Sequence, residues 1–343
     1  MADAPTPTDR LPVTLLSGFL GSGKTTLANR ILSEQHNQRI AVIVNEFGDV
    51  GIDGSLVVGV DDNVVELNNG CICCTVRNDL VETLNDLMER REQFANAEPF
   101  ERVLIEASGM ASPGPAVQTL LMDRKLSTQF RLDGVITMAH AQHIVSQLQA
   151  HPEASEQVGY ADQIILNHCD QSTPEALDAA EEALRACNRE AAIMQSTRAE
   201  IDVTSLLRTR TWEPEAWRLA RAETACEPDC DDDDHDHHDH AHGAPHTSGV
   251  GTLTLRLRQP LDLNRLKMWL LFVSKRQSHE LMRLKGILHC QGHERSVIVQ
   301  GVYQWLELQS GPGEAPDESI LVLIGRHLDA EELTREWTDC QAR

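Results

Sequence analysis

Short apolar runs alternate with amphipathic stretches through the first part of the chain. Each run ends in a polar turn, and strands are predicted at 13–18, 40–48, 102–109, 133–140, 163–170 and 191–197. Apolar residues at helical spacing predict helices at 24–35, 78–92, 113–121 and 174–187. Strands that are apolar on both faces and alternate with helices indicate an α/β fold, with a parallel sheet covered on both sides. The polar ends of the strands should meet at one edge, where such sheets bind ligands.

This alternation stops near residue 208, and a second pattern begins after residue 250. Between them, residues 226–249 are mostly Asp, His, Gly and Ala without periodicity, a composition typical of a disordered linker. The second pattern predicts a strand at 251–262, a helix at 263–274, strands at 281–290, 295–309 and 319–326, and a helix at 329–340. The predicted organisation is a first domain at 11–208, an Asp/His-rich flexible linker at 209–249 and a smaller α+β domain at 250–341.

Length and charge exclude several classes of function. The 343 residues suggest two domains, and with 41% hydrophobic but only 4% aromatic residues their cores should be aliphatic. The net charge of −23, without a basic stripe, argues against a nucleic-acid partner. No run of about 18 apolar residues is present to cross a membrane, and the N-terminus lacks the pattern of an export signal. A cytoplasmic location is expected, and there the nine cysteines indicate metal binding or catalysis rather than disulfides.

The segment GFLGSGKTT, residues 18–26, carries the phosphate-binding pattern GxxxxGK[ST] between a predicted strand and a predicted helix. Its glycines let backbone N–H groups turn towards phosphate oxygens, and the helix N-terminus adds partial positive charge. Lys24 is predicted to reach the β- and γ-phosphates, and the Thr25 hydroxyl to bind Mg²⁺. The predicted nucleotide-binding residues of this P-loop are Gly18, Gly21, Ser22, Gly23, Lys24, Thr25 and Thr26.

Two further strand ends complete a candidate nucleotide site. In LIEASG, Glu106 can hold the Mg²⁺ shell or the attacking water, and the Gly109 amide can sense the γ-phosphate. Lys24, Thr25 and Glu106 are therefore the predicted catalytic residues. In IILNHCD, Asn167 and Asp170 fit the Asn-Lys-x-Asp pattern with which GTPases read guanine. His168 stands at the lysine position, so the choice between GTP and ATP stays open.

Three thiols lie within four positions in CICC, at Cys71, Cys73 and Cys74, after an Asn-Asn-Gly turn. Packing alone explains one buried cysteine but not such a cluster. Thiolates are soft ligands suited to Zn²⁺ or Cu(I). A closed structural zinc site needs a fourth ligand, typically from a second CxxC pair, and the chain has none. An incomplete ligand set leaves a position free, as a donor site requires; a redox trio is the alternative.

A second metal-binding pattern lies in the tract DDDDHDHHDHAHGAPH, residues 231–246. Dense imidazoles on a mobile chain bind Zn²⁺, Ni²⁺ or Co²⁺ at many loose sites, and the aspartates raise the local cation concentration. The alternative is a charged linker without a metal. The predicted ligands are His235, His237, His238, His240 and His242.

The motifs occur in the order found in CobW-type GTPase metallochaperones, and the chain resembles that family over about residues 11–340. The family is related to the GTPases that insert nickel into urease and hydrogenase. The stretches that carry the resemblance are GFLGSGKTT, NEFGDVGID, LNNGCICCTVRNDL, EASGM, LNHCD and VQGVYQWLEL with LVLIGRHL.

The resemblance implies a P-loop NTPase domain followed by the family's C-terminal α+β domain. It implies that the three clustered cysteines bind a transition metal, zinc first, and that Lys24, Thr25 and Glu106 serve GTP and Mg²⁺. NEFGDVGID would be the nucleotide-sensing switch, with Glu46 and Asp49 near metal or phosphate. The chain departs from the family at His168 and at His140, where an Asp is usual.

These patterns lead to one hypothesis with two alternatives. The hypothesis is a GTPase that binds zinc, or else Co²⁺, Ni²⁺ or Fe²⁺, and couples slow GTP hydrolysis to metal delivery to a client protein. The alternatives are a passive zinc store that uses the histidine tract, and a P-loop ATPase or kinase with a structural metal. Neither nucleic acid nor a membrane is expected as a partner. Formation of a homo-oligomer that depends on nucleotide or metal stays open.

Overall fold

The computed structural model describes residues 10–34, 38–44, 55–60, 63–68, 77–93, 99–207, 249–278 and 280–342. The chain divides into two compact units, Met1–Thr209 and Arg210–Arg343. The strands of the first unit are β1 (Leu11–Gly18), β2 (Ile40–Val44), β3 (Ser55–Val60), β4 (Asn63–Asn68), β5 (Arg102–Glu106), β6 (Phe130–His140), β7 (Gln163–Asn167) and β8 (Ala192–Gln195).

The helices of the first unit lie mainly between the parallel strands. They are α1 (Lys24–Ser33), α2 (Arg77–Gln93), α3 (Gly114–Met122), α4 (Leu126–Gln129), α5 (Ile144–Ala150), α6 (Pro152–Tyr160), α7 (Pro174–Cys187) and α8 (Val203–Leu207). Among the described residues of both units, no helix has the length and hydrophobicity needed to span a membrane.

The eight strands form one sheet in the order β4-β3-β2-β5-β1-β6-β7-β8. The six strands from β2 to β8 in this order pair in parallel. Every residue of β5 and of β7 is buried, because helices cover both faces of the sheet. One cluster packs Leu27 and Ile31 of α1 against the strands, and another packs helices α5 to α7. The predicted α/β fold with a parallel sheet is confirmed.

The register aligns the carboxyl ends of the parallel strands at one edge of the sheet. Glu106, the last residue of β5, pairs with Leu16 on one side and with Val44 on the other. His140 at the end of β6 pairs with Asn167 at the end of β7. The polar strand ends that the sequence singled out therefore share this edge, as parallel pairing requires.

An antiparallel hairpin, β3 and β4, adds two strands that the sequence analysis did not predict. Leu56 of β3 pairs with Ile43 near the end of β2, and Ser55 pairs with Asn68, the last residue of β4. The hairpin thus starts and ends at the same edge as Glu106. β4 therefore ends at that edge with Asn68, and the clustered cysteines that follow in the sequence lie outside the described residues.

The predicted boundaries differ from the observed ones mainly at the strand ends. The predicted strand 102–109 ends at Glu106, and 163–170 ends at Asn167, because the polar turn residues after each strand are not paired. The predicted helix 174–187 has the same bounds as α7. The end of the predicted strand 40–48 lies outside the described residues.

In residues 249–278 and 280–342, the second unit has a five-stranded antiparallel sheet in the order β12-β11-β10-β13-β9 and two helices. Its elements are β9 (Val250–Leu257), α9 (Leu263–Arg276), β10 (Leu281–Leu288), β11 (Arg295–Val302), β12 (Trp305–Glu314), β13 (Ser319–Arg326) and α10 (Ala330–Thr338). Trp269 of α9 and Trp337 of α10 pack with ring centroids 5.6 Å apart in a core with the sheet. The predicted α+β architecture is confirmed.

One predicted strand, 295–309, is wrong because it covers two strands. β11 and β12 pair as a tight hairpin in which Val302 lies opposite Trp305. The turn residue Tyr303 has a φ of 51°. Glycine or asparagine usually occupies such turns. Since the two turn residues, Tyr303 and Gln304, include neither glycine nor asparagine, the sequence gives no turn signal at this position.

A buried ion pair joins β5 to β6 near the amino ends of the strands. The Arg102 guanidinium donates to the Asp133 carboxylate and to the Thr14 hydroxyl, at 2.9 Å in the second case. Arg131 donates to the other carboxylate oxygen of Asp133 at 2.8 Å. The Asp133 side chain is only 2% exposed, so its charge depends on these partners rather than on water.

We expect Asp133→Asn to lower the free energy of unfolding by about 3 kcal/mol, because it leaves the buried Arg102 charge without a carboxylate. Chemical denaturation followed by circular dichroism measures this change. The matched control is Arg256→Gln, which breaks an exposed pair with Glu318 and should cost below about 1 kcal/mol. If the two substitutions lowered the free energy of unfolding equally, the buried Arg102–Asp133 pair would not have the stabilising role described here.

Candidate functional site

The loop between β1 and α1 curls around the carbonyl oxygen of Phe19. This oxygen accepts from the Ser22 backbone N–H at 3.3 Å and from the Ser22 hydroxyl at 2.7 Å. It also accepts from the Lys24 amine at 3.2 Å. Because α1 begins at Lys24, the loop brings a lysine amine and a helix N-terminus to the carboxyl edge of the sheet.

Glycines give this loop its backbone conformation. Gly18, Gly21 and Gly23 have φ values of 140°, 75° and 104°, in a region that other residues rarely adopt. A Cβ atom on Gly23 would also lie 2.5 Å from the Asn167 amide nitrogen. The glycine pattern seen in the sequence thus reflects both the turn and a close approach of β7.

The Lys24 amine is largely buried inside the loop. Burial lowers the pKa of Lys24, and the nearby Glu106 carboxylate opposes this effect. An anion that enters the loop would stabilise the charged amine further. The geometry therefore favours a ligand with several negative charges, such as a polyphosphate.

Thr25 and Glu106 form a pair of oxygen ligands beside the loop. The Thr25 hydroxyl donates to Glu106 Oε1 at 2.7 Å, and Glu106 is 3% exposed at the end of β5. A hydroxyl and a carboxylate in contact fit a hard cation such as Mg²⁺, which binds oxygen ligands. The chemistry of Thr25 and Glu106 is therefore compatible with a Mg²⁺ site beside the loop.

The turn after β5 lies against the P-loop. A Cβ atom on Gly109 would be 2.6 Å from a Leu20 methyl carbon, so no larger residue fits without displacement. The Gln157 amide, buried on α6, donates to the carbonyls of Gly109 and Ala111 at 3.0 Å each. Sequence reasoning missed Gln157, because nothing in the local pattern marks a glutamine that fixes a distant turn.

The Asn167 side chain joins three segments of the site. Its amide nitrogen donates to the Ser22 carbonyl at 3.0 Å. Its amide oxygen accepts from the Ser196 hydroxyl at 3.1 Å and from the Ala199 N–H at 2.9 Å. Asn167 is 1% exposed, so it connects the P-loop to the loop after β8. Sequence reasoning missed Ser196 and Ala199, which follow the weakest predicted strand.

Backbone strain is concentrated around Asn167. The described residues include five non-glycine positions with positive φ, and three of them are His168, Arg198 and Ala199. Such conformations cost free energy and persist mainly at functional sites. The two loops that flank Asn167 therefore have the strain expected of a binding pocket.

Asp170 is exposed on a short 3-10 turn, Cys169–Gln171, directly after β7. The Cys169 N–H donates to the Ser196 carbonyl at 3.1 Å, which holds this turn against the loop after β8. The Asp170 carboxylate is thus positioned by the same framework as Asn167 and is accessible to a ligand.

Three histidine rings lie in a row beside this turn, which we call the histidine ladder: His143, His140 and His168. The rings of His140 and His168 are stacked, with centroids 4.3 Å apart and planes 15° apart. The rings of His140 and His143 are also 4.3 Å apart, with a tilt of 37°. Burial, and then the charged forms of the two neighbours, lower the pKa of His140. At His140, the structure thus has a ring contact where the resemblance implies an Asp.

The predicted metal ligands lie outside the described residues. This applies to the cysteine cluster, to Glu46 and Asp49, and to the histidines between 235 and 242. Among the residues that the structure describes, no group of three or more His, Cys, Asp or Glu could hold a metal ion. The metal assignments therefore stay predictions from the sequence.

Two family descriptions match the chain. Residues 12–195 match the nucleotide-binding domain described as CobW/HypB/UreG, and residues 250–341 match the cobalamin synthesis protein CobW C-terminal domain. The zinc chaperone YjiA of Escherichia coli is 34% identical over 94% of this chain and 96% of its own. The zinc-regulated GTPase metalloprotein activator 1 of Schizosaccharomyces pombe is 29% identical over 96% of this chain and 85% of its own.

A solved structure is similar in both units. The crystal structure of Zn(II)-bound YjiA GTPase from E. coli covers 97% of this chain and 99% of its own, with a TM-score of 0.70 and 31% identity. The agreement extends over the P-loop domain and the antiparallel C-terminal domain.

We expect His168→Asn to raise the pKa of His140 towards its ordinary value of 6.5, because the substitution removes the electrostatic effect of His168 and part of the ring contact that buries His140. Titration of the ring nitrogens by NMR measures this. Since the unfolded chain binds the proton more readily than the folded chain, folding stability should fall as pH drops below about 6.5. The control His293→Asn, in the second unit, should leave the His140 titration unchanged.

Proposed function

Because the chain belongs to the CobW/HypB/UreG family, we propose that it is a zinc chaperone whose GTP cycle controls the binding and release of the metal. By family and fold the chain is a P-loop GTPase. In the proposed cycle, zinc binds at Cys71, Cys73 and Cys74 and passes to a client protein. The names of the relatives, a zinc chaperone and a metalloprotein activator, support this proposal.

The nucleotide would lie along the carboxyl edge of the sheet. Lys24 would exchange the Phe19 carbonyl for oxygens of the β- and γ-phosphates, with Gly18, Gly21, Ser22, Gly23 and Thr26 forming the rest of the cradle. The exposed Asp170 carboxylate would accept from the guanine edge. Asn167 fixes the spacing between these two parts, since its side chain binds the P-loop directly.

Thr25 and Glu106 would hold Mg²⁺, in keeping with their hydrogen bond of 2.7 Å. The ion, when bound, supplies neutralisation of the charge on the phosphates. Lys24 adds positive charge at the β- and γ-phosphates, and the Gly109 turn, fixed by Gln157, presents a backbone amide to the γ-phosphate. The sequence identifies no arginine finger, so we expect slow intrinsic hydrolysis.

The observation that carries the coupling to zinc is the register of the β3–β4 hairpin. Asn68, directly before the segment that contains the cysteines, lies at the same sheet edge as Glu106, three strand positions away. At about 4.8 Å per strand this is about 14 Å. The predicted switch, residues 45–53, precedes the same hairpin. A change in the switch can therefore act on both the nucleotide and the cysteine segment.

Thiolate chemistry explains why such a coupling is useful. Three thiolates bind Zn²⁺ strongly, and a fourth position left open gives a client ligand a route to the metal. Movement of one thiolate would then favour transfer. The histidine tract would act as a loose reservoir that raises the local zinc concentration. Co²⁺, Ni²⁺ and Fe²⁺ fit the same ligands, so zinc is the assignment supported by the relatives rather than by the ligand types.

We expect a non-hydrolysable GTP analogue to change the zinc affinity of the purified protein by at least about fivefold, the lower range of ordinary coupling between sites. Equilibrium competition with a chromogenic chelator, with GDP and with the analogue, measures the affinities. Cys→Ser substitution at 71, 73 and 74 should abolish the tight site. Equal zinc affinity in both nucleotide states would rule out the coupling.

Deletion of residues 229–246 separates this proposal from passive storage. A chaperone should keep one tight zinc equivalent on the cysteines after the deletion, because the tract only buffers metal. A storage protein should lose nearly all of its bound metal. Zinc content after dialysis against a weak chelator measures the difference.

We expect Thr25→Ala to raise the Mg²⁺ concentration for half-maximal GTP hydrolysis by about 10- to 100-fold, the range typical when a group that supports a metal is removed. The matched control is Thr25→Ser, which also loses the methyl group but keeps the hydroxyl bonded to Glu106. An unchanged Mg²⁺ requirement in the alanine variant would contradict the role of Thr25.

A further inference from the structure

The histidine ladder is joined to the nucleotide site by the backbone of His168. This residue lies between Asn167, which binds the P-loop, and the 3-10 turn that carries Asp170. Its φ of 64° is in the left-handed region, and its carbonyl accepts from the Gln171 N–H at 3.1 Å. The ring of His168 is therefore held at a fixed place between the phosphate loop and the predicted base-reading carboxylate.

The ladder has two different ends. His143 lies at the exposed end near the start of α5, and His140 is in the middle. Among the described residues, the row of rings ends at His168, which is partly exposed. A further flat ring could extend the row on the side of His168 that is not covered by His140.

The geometry of the stack favours a flat ligand over a metal ion. Imidazole nitrogens bind metals through lone pairs in the ring plane, and two rings only 15° from parallel do not direct those lone pairs to one point. In the described part of the chain, these histidines do not form part of any group of three or more side chains that could hold a metal ion. Aromatic faces, by contrast, bind the flat faces of nucleobases by stacking.

We propose that the guanine ring packs against the stacked imidazoles, with His168 in contact with the base and His140 as the positioning residue behind it. This inference rests on the proposed GTP binding and deepens it. His168 replaces the lysine of the usual pattern with a planar surface, and His140 replaces an acidic residue with the ring that supports it. His168 and His140, the two residues at which the chain departs from the family pattern, are thus in direct ring contact.

The stacked His140 ring limits the orientations that the His168 side chain can adopt. An imidazole at 168 alone would be free to rotate away from a base. With the His140 ring stacked on it and the side chain of the preceding residue, Asn167, held by three hydrogen bonds, its orientation is restricted before the nucleotide arrives. Pre-organisation of this kind raises affinity because less freedom is lost on binding.

The experiment separates binding of the base from binding of the phosphates. The affinity of fluorescent mant-GDP is measured directly, and that of inorganic tripolyphosphate by competition, for wild type, His168→Ala, His168→Phe and His140→Ala. We expect His168→Ala to weaken mant-GDP by between about fivefold and about 150-fold, the range for loss of one aromatic–base stack. Tripolyphosphate affinity should stay within about twofold of wild type, since no base is involved.

The phenylalanine variant is the matched control, because it keeps a flat ring and removes the ring nitrogens. It should retain mant-GDP affinity within about threefold, whereas a role in hydrogen bonding or in local folding would give a loss as large as that of alanine. His140→Ala should weaken mant-GDP less than His168→Ala. The double variant should be no weaker than His168→Ala alone, because a positioning residue acts only through the residue it supports.

Three results would overturn the inference: unchanged mant-GDP affinity in His168→Ala, equal weakening of mant-GDP and tripolyphosphate, or no recovery with phenylalanine. These results differ from failure of the proposed function, in which wild type itself would bind neither mant-GDP nor tripolyphosphate. His293→Ala, an exposed histidine of the second unit, controls for general effects of removing an imidazole.

Discussion

Parallel pairing of the central strands is the constraint on which the candidate site depends. Because β1, β5, β6 and β7 run in one direction, their carboxyl ends lie side by side. Residues that are far apart in sequence, such as Thr25, Glu106 and Asn167, then meet within hydrogen-bond distance of one another or of the P-loop. No single segment contains the site, and a shift of one strand by one residue would separate its parts.

Within that frame, the Asn167 side chain fixes the spacing between the two halves of the nucleotide pocket. It makes three hydrogen bonds in a buried environment, to Ser22, Ser196 and Ala199. Each buried polar group left without its partner costs about 1–3 kcal/mol. The strained residues His168, Arg198 and Ala199 surround it, so its bonds also help to offset the cost of their conformations. The asparagine of the guanine pattern thus has a structural role that precedes any contact with a base.

The sequence predicted those parts of the fold that depend on local pattern. Buried strands such as β5, the glycines of the P-loop and the bounds of α7 follow from hydrophobic periodicity and turn chemistry. The β3–β4 hairpin and the Tyr303 turn were missed, since a strand is stabilised by its partner and a turn without glycine leaves no signal. In the site, Glu106 and Asn167 were found because they end apolar runs. Gln157 and the histidine ladder were not, because they act through contacts between distant segments.

The contact between the Lys24 amine and the Phe19 carbonyl has a consequence for nucleotide exchange. The Phe19 carbonyl lies within the same loop as the Lys24 amine, so the buried ammonium group has an oxygen acceptor that the protein itself supplies. In the proposed cycle, the Lys24 amine binds phosphate oxygens when the nucleotide is present and the Phe19 carbonyl when it has left. The speed of turnover between the empty and loaded forms should then be governed by the contacts of the departing molecule rather than by refolding of the loop that held it.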